Sequence, residues 1–369
     1  MEYLFDDVLE IKNGKNQKAV ENPTGQYPIY GSGGVMGYAD DYICDADTVI
    51  IGRKGSINNP IYVAEPFWNV DTAFGLSAKK EYLLPRYLFY FCKKFDFSKL
   101  NKTVTIPSLT KSDLLKIKID LPSKEEQQNV VNKLTKIEKV IDFRRQELSA
   151  LDDLIRARFV ELFGDPQLNP FEWGVVNISE VVGGKVSNGF FAKRDDYTDT
   201  GNVSVLGVAN IVNRMYSKID DLPRTNADDK DIGKFAVRYG DMLFCRSSLV
   251  AEGIGKASII PEDVQKNVLF ECHVIRLPLD LRKCVPEFMQ TLSTMDYFRN
   301  QVIAQSKTAT MTTIGQDGIL KTEIILPPIE KQKEFYDFVK QVDKSKVAVQ
   351  KALDETQILF DSLMQKYFG

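Results

Sequence analysis

The chain has 369 residues, 43% of them hydrophobic and 27% charged, with a formal net charge of −3. That length suits two or three domains, each large enough to bury its own core. The composition excludes low-complexity and membrane classes, since no apolar run reaches the roughly 18 residues of a membrane span. The slightly acidic balance argues mildly against DNA binding, whose usual footprint is a strongly basic domain; local patches can still contact phosphates, and the balance suggests that other subunits share the grip.

The opening residues Met1-Glu2-Tyr3-Leu4-Phe5-Asp6-Asp7 lack the basic start of a signal peptide. Cys44, Cys92, Cys245, Cys272 and Cys284 are odd in number and scattered, without C-x-x-C spacing. They read as reduced thiols of a cytoplasmic protein.

Residues 1–120 predict a mixed domain. β-rich runs at 47–52 and 59–63 lie between Gly, Asn and Asp turns. Leu84-Pro85 opens a helix with proline in its first turn. Residues 123–163 predict one long helix. Ser123 with Glu126 makes a capping box, and neither Gly nor Pro interrupts the segment. Leu134, Ile141, Leu148, Ile155 and Leu162 recur every seven residues, beside a partly polar stripe of Val130, Ile137, Arg144, Leu151 and Arg158. At 1.5 Å per residue the helix is roughly 60 Å long. Gly164-Asp165-Pro166 stops it.

Residues 165–320 repeat the plan of the first domain with different residues. Residues 268–279 read as a strand that carries His273, the only histidine, for which a core position is expected. Val285-Pro286 echoes Leu84-Pro85, and the run 241–246 echoes 47–53. A second long helix runs from about 329 to 368, with Val339, Lys346, Leu353, Phe360 and Tyr367 in heptad register. Phe335, Val342, Val349, Thr356 and Leu363 lie beside them. Two partly polar seams of equal length predict an antiparallel pair; the alternative is that each helix packs on its own domain.

The repeat is explicit in the sequence. Residues 106–164 and 311–369 align without a gap at an offset of 205. Leu115-Lys116 matches Leu320-Lys321, Leu121-Pro122 matches Leu326-Pro327, Gln127 matches Gln332, and Phe163-Gly164 matches Phe368-Gly369. A unit used twice predicts a pseudo-two-fold object. The commonest two-fold partner is duplex DNA read at two half-sites.

These features resemble the specificity (S) subunit of type I restriction-modification systems, over the whole chain. The carriers are the Leu-Pro-x-x-x-x-Gln entry to each long helix (Leu121 to Gln127, Leu326 to Gln332) and the exit Phe163-Gly164-Asp165-Pro166. The runs Tyr27-Pro28-Ile29-Tyr30-Gly31-Ser32-Gly33-Gly34 and 48–56 also look like the family's target recognition domains. The resemblance implies an α+β fold: target recognition domains at 1–120 and 165–322, spacer helices at 121–164 and 323–369. It also implies a non-catalytic subunit, each domain reading half of a bipartite site in double-stranded DNA. The helices would act as a coiled-coil ruler for the spacer. Two modification (methyltransferase) subunits would dock on the helical regions and carry S-adenosylmethionine, and motor-nuclease restriction subunits would join for cleavage. No cofactor and no membrane are expected for this chain itself.

Within that frame, Gly52-Arg53-Lys54-Gly55-Ser56 places two cations in a glycine turn after a strand. Arg53 could fork onto guanine O6/N7 or clamp a phosphate, with Lys54 on the backbone; the alternative is a solvated turn. Arg246-Ser247-Ser248 is the second-domain counterpart. Lys12, Gly14 and Lys15, and then Lys185, Ser187, Asn188, Gly189 and Lys193, sit in polar loops suited to phosphate approach or simply to solubility. Tyr30 and Ser32 lie in a further Gly/Ser loop, not a dinucleotide fingerprint, because Met36 stands where its last glycine is needed. Asn101-Lys102-Thr103 and Lys307-Thr308-Ala309-Thr310 precede the repeated helices. Their hydroxyls and cations suit base or phosphate contacts, or an ordinary Ser/Thr-rich connection.

Catalytic motifs are weak. Asn59-Pro60-Ile61-Tyr62 departs from the N-P-P-[YF] tetrad of adenine methyltransferases at its second proline, and no cofactor-binding glycine motif follows a strand. Glu10-Ile11-Lys12 fits a nuclease-like E-x-K without paired acids. One histidine rules out histidine-rich metal sites. The competing expectation is a coiled-coil adaptor without sequence-specific DNA binding, which the acidic balance favours.

Overall fold

A computed structural model describes residues 1–101 and 107–369. Lys102 and Thr103 lie outside the described residues. The chain runs β1 (Glu2–Leu4), α1 (Phe5–Val8), β2 (Leu9–Asn13), β3 (Tyr27–Gly31), β4 (Gly34–Ala39), β5 (Thr48–Gly52), β6 (Ile61–Val63), β7 (Trp68–Asn69) and β8 (Ala73–Ala78). Next come α2 (Pro85–Lys94), α3 (Lys111–Leu114), β9 (Lys118–Asp120) and α4 (Lys124–Phe163). The second half runs β10 (Val175–Asn177), β11 (Ser187–Asn188), β12 (Val203–Leu206), β13 (Arg224–Thr225), α5 (Asp229–Phe235), β14 (Asp241–Cys245), β15 (Ser247–Ser248), β16 (Ala257–Ile259), β17 (Val268–Phe270) and β18 (Val274–Pro278). It ends with α6 (Pro286–Ser293), α7 (Asp296–Ala304), β19 (Lys307–Thr308), β20 (Thr312–Thr313), α8 (Gln316–Leu320), β21 (Glu323–Ile325) and α9 (Ile329–Phe368). The architecture mixes helix and strand, with two 40-residue helices.

These residues form two compact units, Met1–Gln146 with Gln350–Gly369, and Glu147–Val349. In the first, β5 is the middle of a sheet ordered β2-β8-β5-β6, with Thr48 opposite Ser77 and Val63. Its residues Thr48-Val49-Ile50-Ile51-Gly52 are buried throughout. A β-branched run without alternation is what a strand covered on both faces requires. A second sheet, β4-β3-β7, pairs β3 with β7 in parallel. Helix α2 starts with Pro85 at its first position, where a missing N–H is harmless, and turns Tyr87, Leu88, Tyr90 and Cys92 inward. Its core is shared with Leu134 and Ile141 of α4 and with Phe360 and Met364 of α9. The Arg144 guanidinium donates to the Ala352 carbonyl and the Thr356 hydroxyl.

The second unit repeats the plan. β14, also buried throughout, sits in a sheet ordered β11-β18-β14-β16, and β12 pairs with β17 in parallel. Helix α6 again begins with proline, Pro286. Phe159 and Phe163 of α4 cluster with Phe288 and Phe335, ring centroids 4.9 to 5.7 Å apart. Asp152 pairs with Lys346 at 2.6 Å and Arg158 with Glu334 at 3.0 Å, so contacts climb α4 as they descend α9.

The heptad stripes follow burial. Val130, Leu134, Ile141 and Ile155 are buried in α4, and Ile137, Arg144, Leu148, Leu151, Arg158 and Leu162 are half-buried. The expected capping box forms: Ser123 N–H donates to Glu126 Oε2 at 3.0 Å, and Glu126 N–H donates back to Ser123 Oγ at 3.2 Å. Gly164 ends α4 at φ +76°, its N–H donating to Val160 O at 2.8 Å. A Cβ there would meet Pro170 Cγ at 2.4 Å, so only glycine fits. The five cysteines are free. No helix among the described residues is long and apolar enough to cross a membrane.

Two expectations are overturned. Lys12, Tyr30, Ser187 and Asn188, expected in loops, lie in β2, β3 and β11, held by ladder pairing with β8, β4 and β18. His273 is exposed, not in the core. The strand-like run breaks at 271–273, between β17 and β18, because the carbonyls of Cys272 and His273 turn aside to accept hydrogen bonds from Arg246.

Candidate DNA interface

In the first unit the chain leaves the buried β5 at Gly52 and turns at once. A Cβ on Gly52 would lie 2.4 Å from Ser56 O and 3.0 Å from Ser32 Cβ, so glycine lets the Ser56 and Ser32 turns close on each other. Gly55 sits at φ +80°. Arg53 N–H donates to Thr72 O at 2.7 Å, Leu109 N–H to Arg53 O at 2.9 Å, and Gly55 N–H to Pro107 O at 3.1 Å. Lys54 bridges to Ser108, whose N–H donates to Asn101 Oδ1 at 3.0 Å. The glycine turn and the flank of the Ser/Thr-rich run, separate in sequence, thus form one ledge. Arg53, Lys54 and Ser56 are exposed on it. Neither cation forms an ion pair among the described residues, and the Arg53 guanidinium lies 5.8 Å from the Phe74 ring centroid.

Two further segments, the turn after β2 and the end of β3, meet the same connection, residues 69–73. Lys15 N–H donates to Asn69 O at 2.8 Å and Gly14 N–H to Ala73 O at 3.2 Å, while Val70 N–H donates to Tyr30 O at 3.0 Å. A Cβ on Gly14 would fall 1.8 Å from Val70 O. The Lys15 side chain is exposed. Tyr30 is half-buried edge-on to Phe67, and burial raises its phenol pKa. Lys12 is already engaged: its ammonium donates to Asp45 Oδ2 at 2.9 Å and Ile43 O at 3.2 Å, and that carboxylate raises its pKa.

The second unit repeats five of these backbone bonds. Arg246 N–H donates to His273 O at 2.8 Å and Ile314 N–H to Arg246 O at 3.1 Å. Gly189 N–H donates to Val274 O at 3.2 Å, Phe190 N–H to Phe270 O at 2.7 Å, and Glu271 N–H to Leu206 O at 2.9 Å. Gly189 is needed as Gly14 is, a Cβ there lying 2.2 Å from Glu271 O. Ser247 and Ser248 pair with Thr313 and Thr312, and β20 pairs in turn with Lys307 and Thr308. Lys307, Thr308 and Thr310 are exposed, and the Thr308 and Thr312 hydroxyls lie 3.0 Å apart. The Asn188 and Gln316 amides are in contact at 3.1 Å.

The charges differ between the units. Arg246 is half-buried and donates through Nη1 to Cys272 O at 3.2 Å, and a serine, Ser247, follows it where Lys54 follows Arg53. Lys185 and Lys193 are exposed, but among the described residues no hydrogen bond ties either to the Arg246 turn; Lys193 N–H donates to Asp196 Oδ2 at 2.8 Å. The connections 69–73 and 270–274 organise both ledges through carbonyl oxygens, which carry no side-chain signature, and sequence reasoning missed them.

Among the described residues no group of His, Cys, Asp and Glu could hold a metal ion. What the ledges offer is cations, hydroxyls and amides on rigid turns, the equipment of nucleic-acid contact.

Residues 2–152 and 170–356 match the family described as the type I restriction modification DNA specificity domain. Among curated proteins, the chain is 22% identical to the type I restriction enzyme MjaVIII specificity subunit of Methanocaldococcus jannaschii, over 81% of this chain and 70% of that one. It is 23% identical to the StySPI specificity subunit of Salmonella potsdam, over 100% of this chain and 83% of that one. Among solved structures, the S subunit of a type I system from M. genitalium aligns with TM-score 0.60 at 14% identity, over 100% of this chain and 96% of that one. A chain from a study of type I system assembly aligns with TM-score 0.52 at 17% identity, over 100% and 97%. These structures share the fold. With both its matches in that family, the chain belongs to the type I restriction-modification DNA specificity family and serves as the specificity subunit, which recognises DNA and leaves the chemistry to others.

Proposed function

We propose that each unit reads one half of a bipartite site in double-stranded DNA through its ledge. The observation that carries this is the recurrence of the same ledge, Arg53 against Leu109 and Arg246 against Ile314, with different side chains exposed on it. A common frame with divergent surface residues suits two different half-sites. Arg53 and Lys54 are the leading base- or phosphate-contacting groups, supported by Ser56, Asn101, Lys15, Tyr30 and Ser32. In the second unit Arg246, Ser247, Asn188, Lys307, Thr308 and Thr310 take that part. Lys12, Lys185 and Lys193 are peripheral, and Lys102 and Thr103 belong to the same run as Asn101.

The two long helices act as a coiled-coil ruler between pseudo-two-fold-related domains, setting the length of the unspecified spacer. Two modification subunits dock on the helical regions and bring S-adenosylmethionine and adenine methylation; motor-nuclease subunits join for cleavage. The setting is cytoplasmic. Opposed contacts along α4 and α9 and the matched Gln127 and Gln332 support the constant frame. Binding of the assembled methyltransferase complex to duplex DNA, measured against salt, tests the reading. Counterion release gives a steep negative slope, and base contacts add a preference for one bipartite sequence; a flat slope returns the scaffold reading.

A further inference from the structure

Away from its ledge, the second unit holds a pocket of about 320 Å³ between α4, α6 and the start of β16. Arg156, Arg214, Lys256 and Arg299 line it, against a single acid, Asp152, whose carboxylate is paired with Lys346 at 2.6 Å. Two buried polar atoms of lining residues have no hydrogen-bond partner: Oγ1 of Thr291, a residue 2% exposed, and Nη1 of Arg299. Arg299 is held from its other nitrogen, Nη2, which donates to Glu252 O at 3.1 Å. Lys256 is steadied by Asn213 Oδ1 at 2.7 Å. Four cations against one neutralised acid give the pocket a net positive lining that favours an anion.

We propose that this pocket binds a phosphate group, with Arg156, Arg214, Lys256 and Arg299 as its cations. Guanidinium forks suit phosphate oxygens better than a single carboxylate. The corresponding place in the first unit, a groove of about 750 Å³, is built differently. Asp361 stands there at the position of Arg156 in the 205-residue repeat, and Lys93 is paired with Glu138 at 2.9 Å. The phosphate site is therefore particular to the second unit. The chain links it to the reading ledge: residues 246–256 run from Arg246 at one end to Lys256 at the other, and Arg299 holds their middle through Glu252.

The test uses the purified full-length chain and titration calorimetry with inorganic phosphate at fixed ionic strength, with chloride as reference. Saturable one-to-one binding is expected, weakened about tenfold or more by Lys256→Gln and by Arg156→Asp, each the loss of a charged contact. Both side chains reach solvent, and an unchanged thermal melt confirms that the variants fold. Repeating the titration with nucleoside monophosphate, and with duplex DNA already bound, separates the sources. Phosphate binding that survives saturating DNA assigns the pocket to a free phosphorylated compound; competition assigns it to a backbone phosphate. Heats no larger than those of chloride, or binding indifferent to both substitutions, overturn the proposal.

Discussion

The side chain of Gln127 on α4 fastens the start of α2: Leu84 N–H donates to Gln127 Oε1 at 2.9 Å. Its Nε2 donates to Tyr82 O at 2.9 Å and Pro122 O at 3.1 Å. Gln332 repeats all three bonds with Val285 N–H at 2.9 Å, Lys283 O at 3.2 Å and Pro327 O at 2.8 Å. Both amides are fully buried. A long helix is thereby keyed to its own domain by one residue. Gln127→Leu strands one buried N–H and two carbonyls, each worth about 1–3 kcal/mol. After relaxation, a loss of roughly 2–4 kcal/mol is expected in denaturant unfolding. A loss below about 0.5 kcal/mol, the scale of a surface change, would show that the clamp is idle.

Arg53 and Lys54 separate base reading from charge. Both are exposed and unpaired among the described residues, so Arg53→Ala should leave the melting temperature nearly unchanged. It should relax recognition of one half-site by about 1–3 kcal/mol. Lys54→Ala should weaken all sequences alike and lower the salt slope by about one. Equal damage to both half-sites by Arg53→Ala would contradict the assignment of one half-site to each unit.

Glu287 gives the second unit a pH-dependent stability. Burial pushes its carboxyl up to about 7, with Tyr216 donating to Oε1 at 3.0 Å. Its other oxygen, Oε2, is buried without a partner. The folded state therefore holds a proton that the unfolded chain releases near its ordinary value of 4.5. The resulting stability is complete below pH 4.5 and is lost as pH rises to about 7. Over that window it amounts to about 3 kcal/mol. Asp343, also raised by burial, acts in the same direction. Unfolding midpoints of Glu287→Gln should show a weaker fall across that range than the parent chain; identical slopes would rule the group out.

Much of the frame was legible. The capping box of Ser123 and Glu126, the prolines opening α2 and α6, and the Gly164 stop are local rules with side-chain signatures, and the heptads mark the less exposed side of α4. His273 was misplaced because an apolar run on either side of it looks continuous, whereas backbone carbonyls at 271–273 are diverted to Arg246. The same holds for the 69–73 connection. Its organising atoms are oxygens that every residue has, so sequence named Arg53 and Asn101 without showing that they share a ledge.

Gly14 illustrates a residue whose importance is steric. Gly14→Ala would press a methyl group into Val70 O, 1.8 Å away, and displace the connection that anchors Arg53. A loss of about 1–3 kcal/mol in stability is expected, with weakened reading of the same half-site that Arg53 serves. Wild-type stability and specificity would mean the loop moves aside freely.

Seven residues inserted into 123–163 lengthen the helix by about 10 Å, on the order of three base pairs. A longer unspecified spacer with both half-sites intact is expected; altered half-sites would sink the ruler.

The most direct test of the central claim is a modified-base map, by long-read sequencing, of DNA from cells expressing this chain with and without its methyltransferase partner. A bipartite methyladenine motif that needs both proteins, and that changes in one half only when Arg53 is replaced, is the predicted result. Methylation without a bipartite motif, or a motif that persists without this chain, would contradict it.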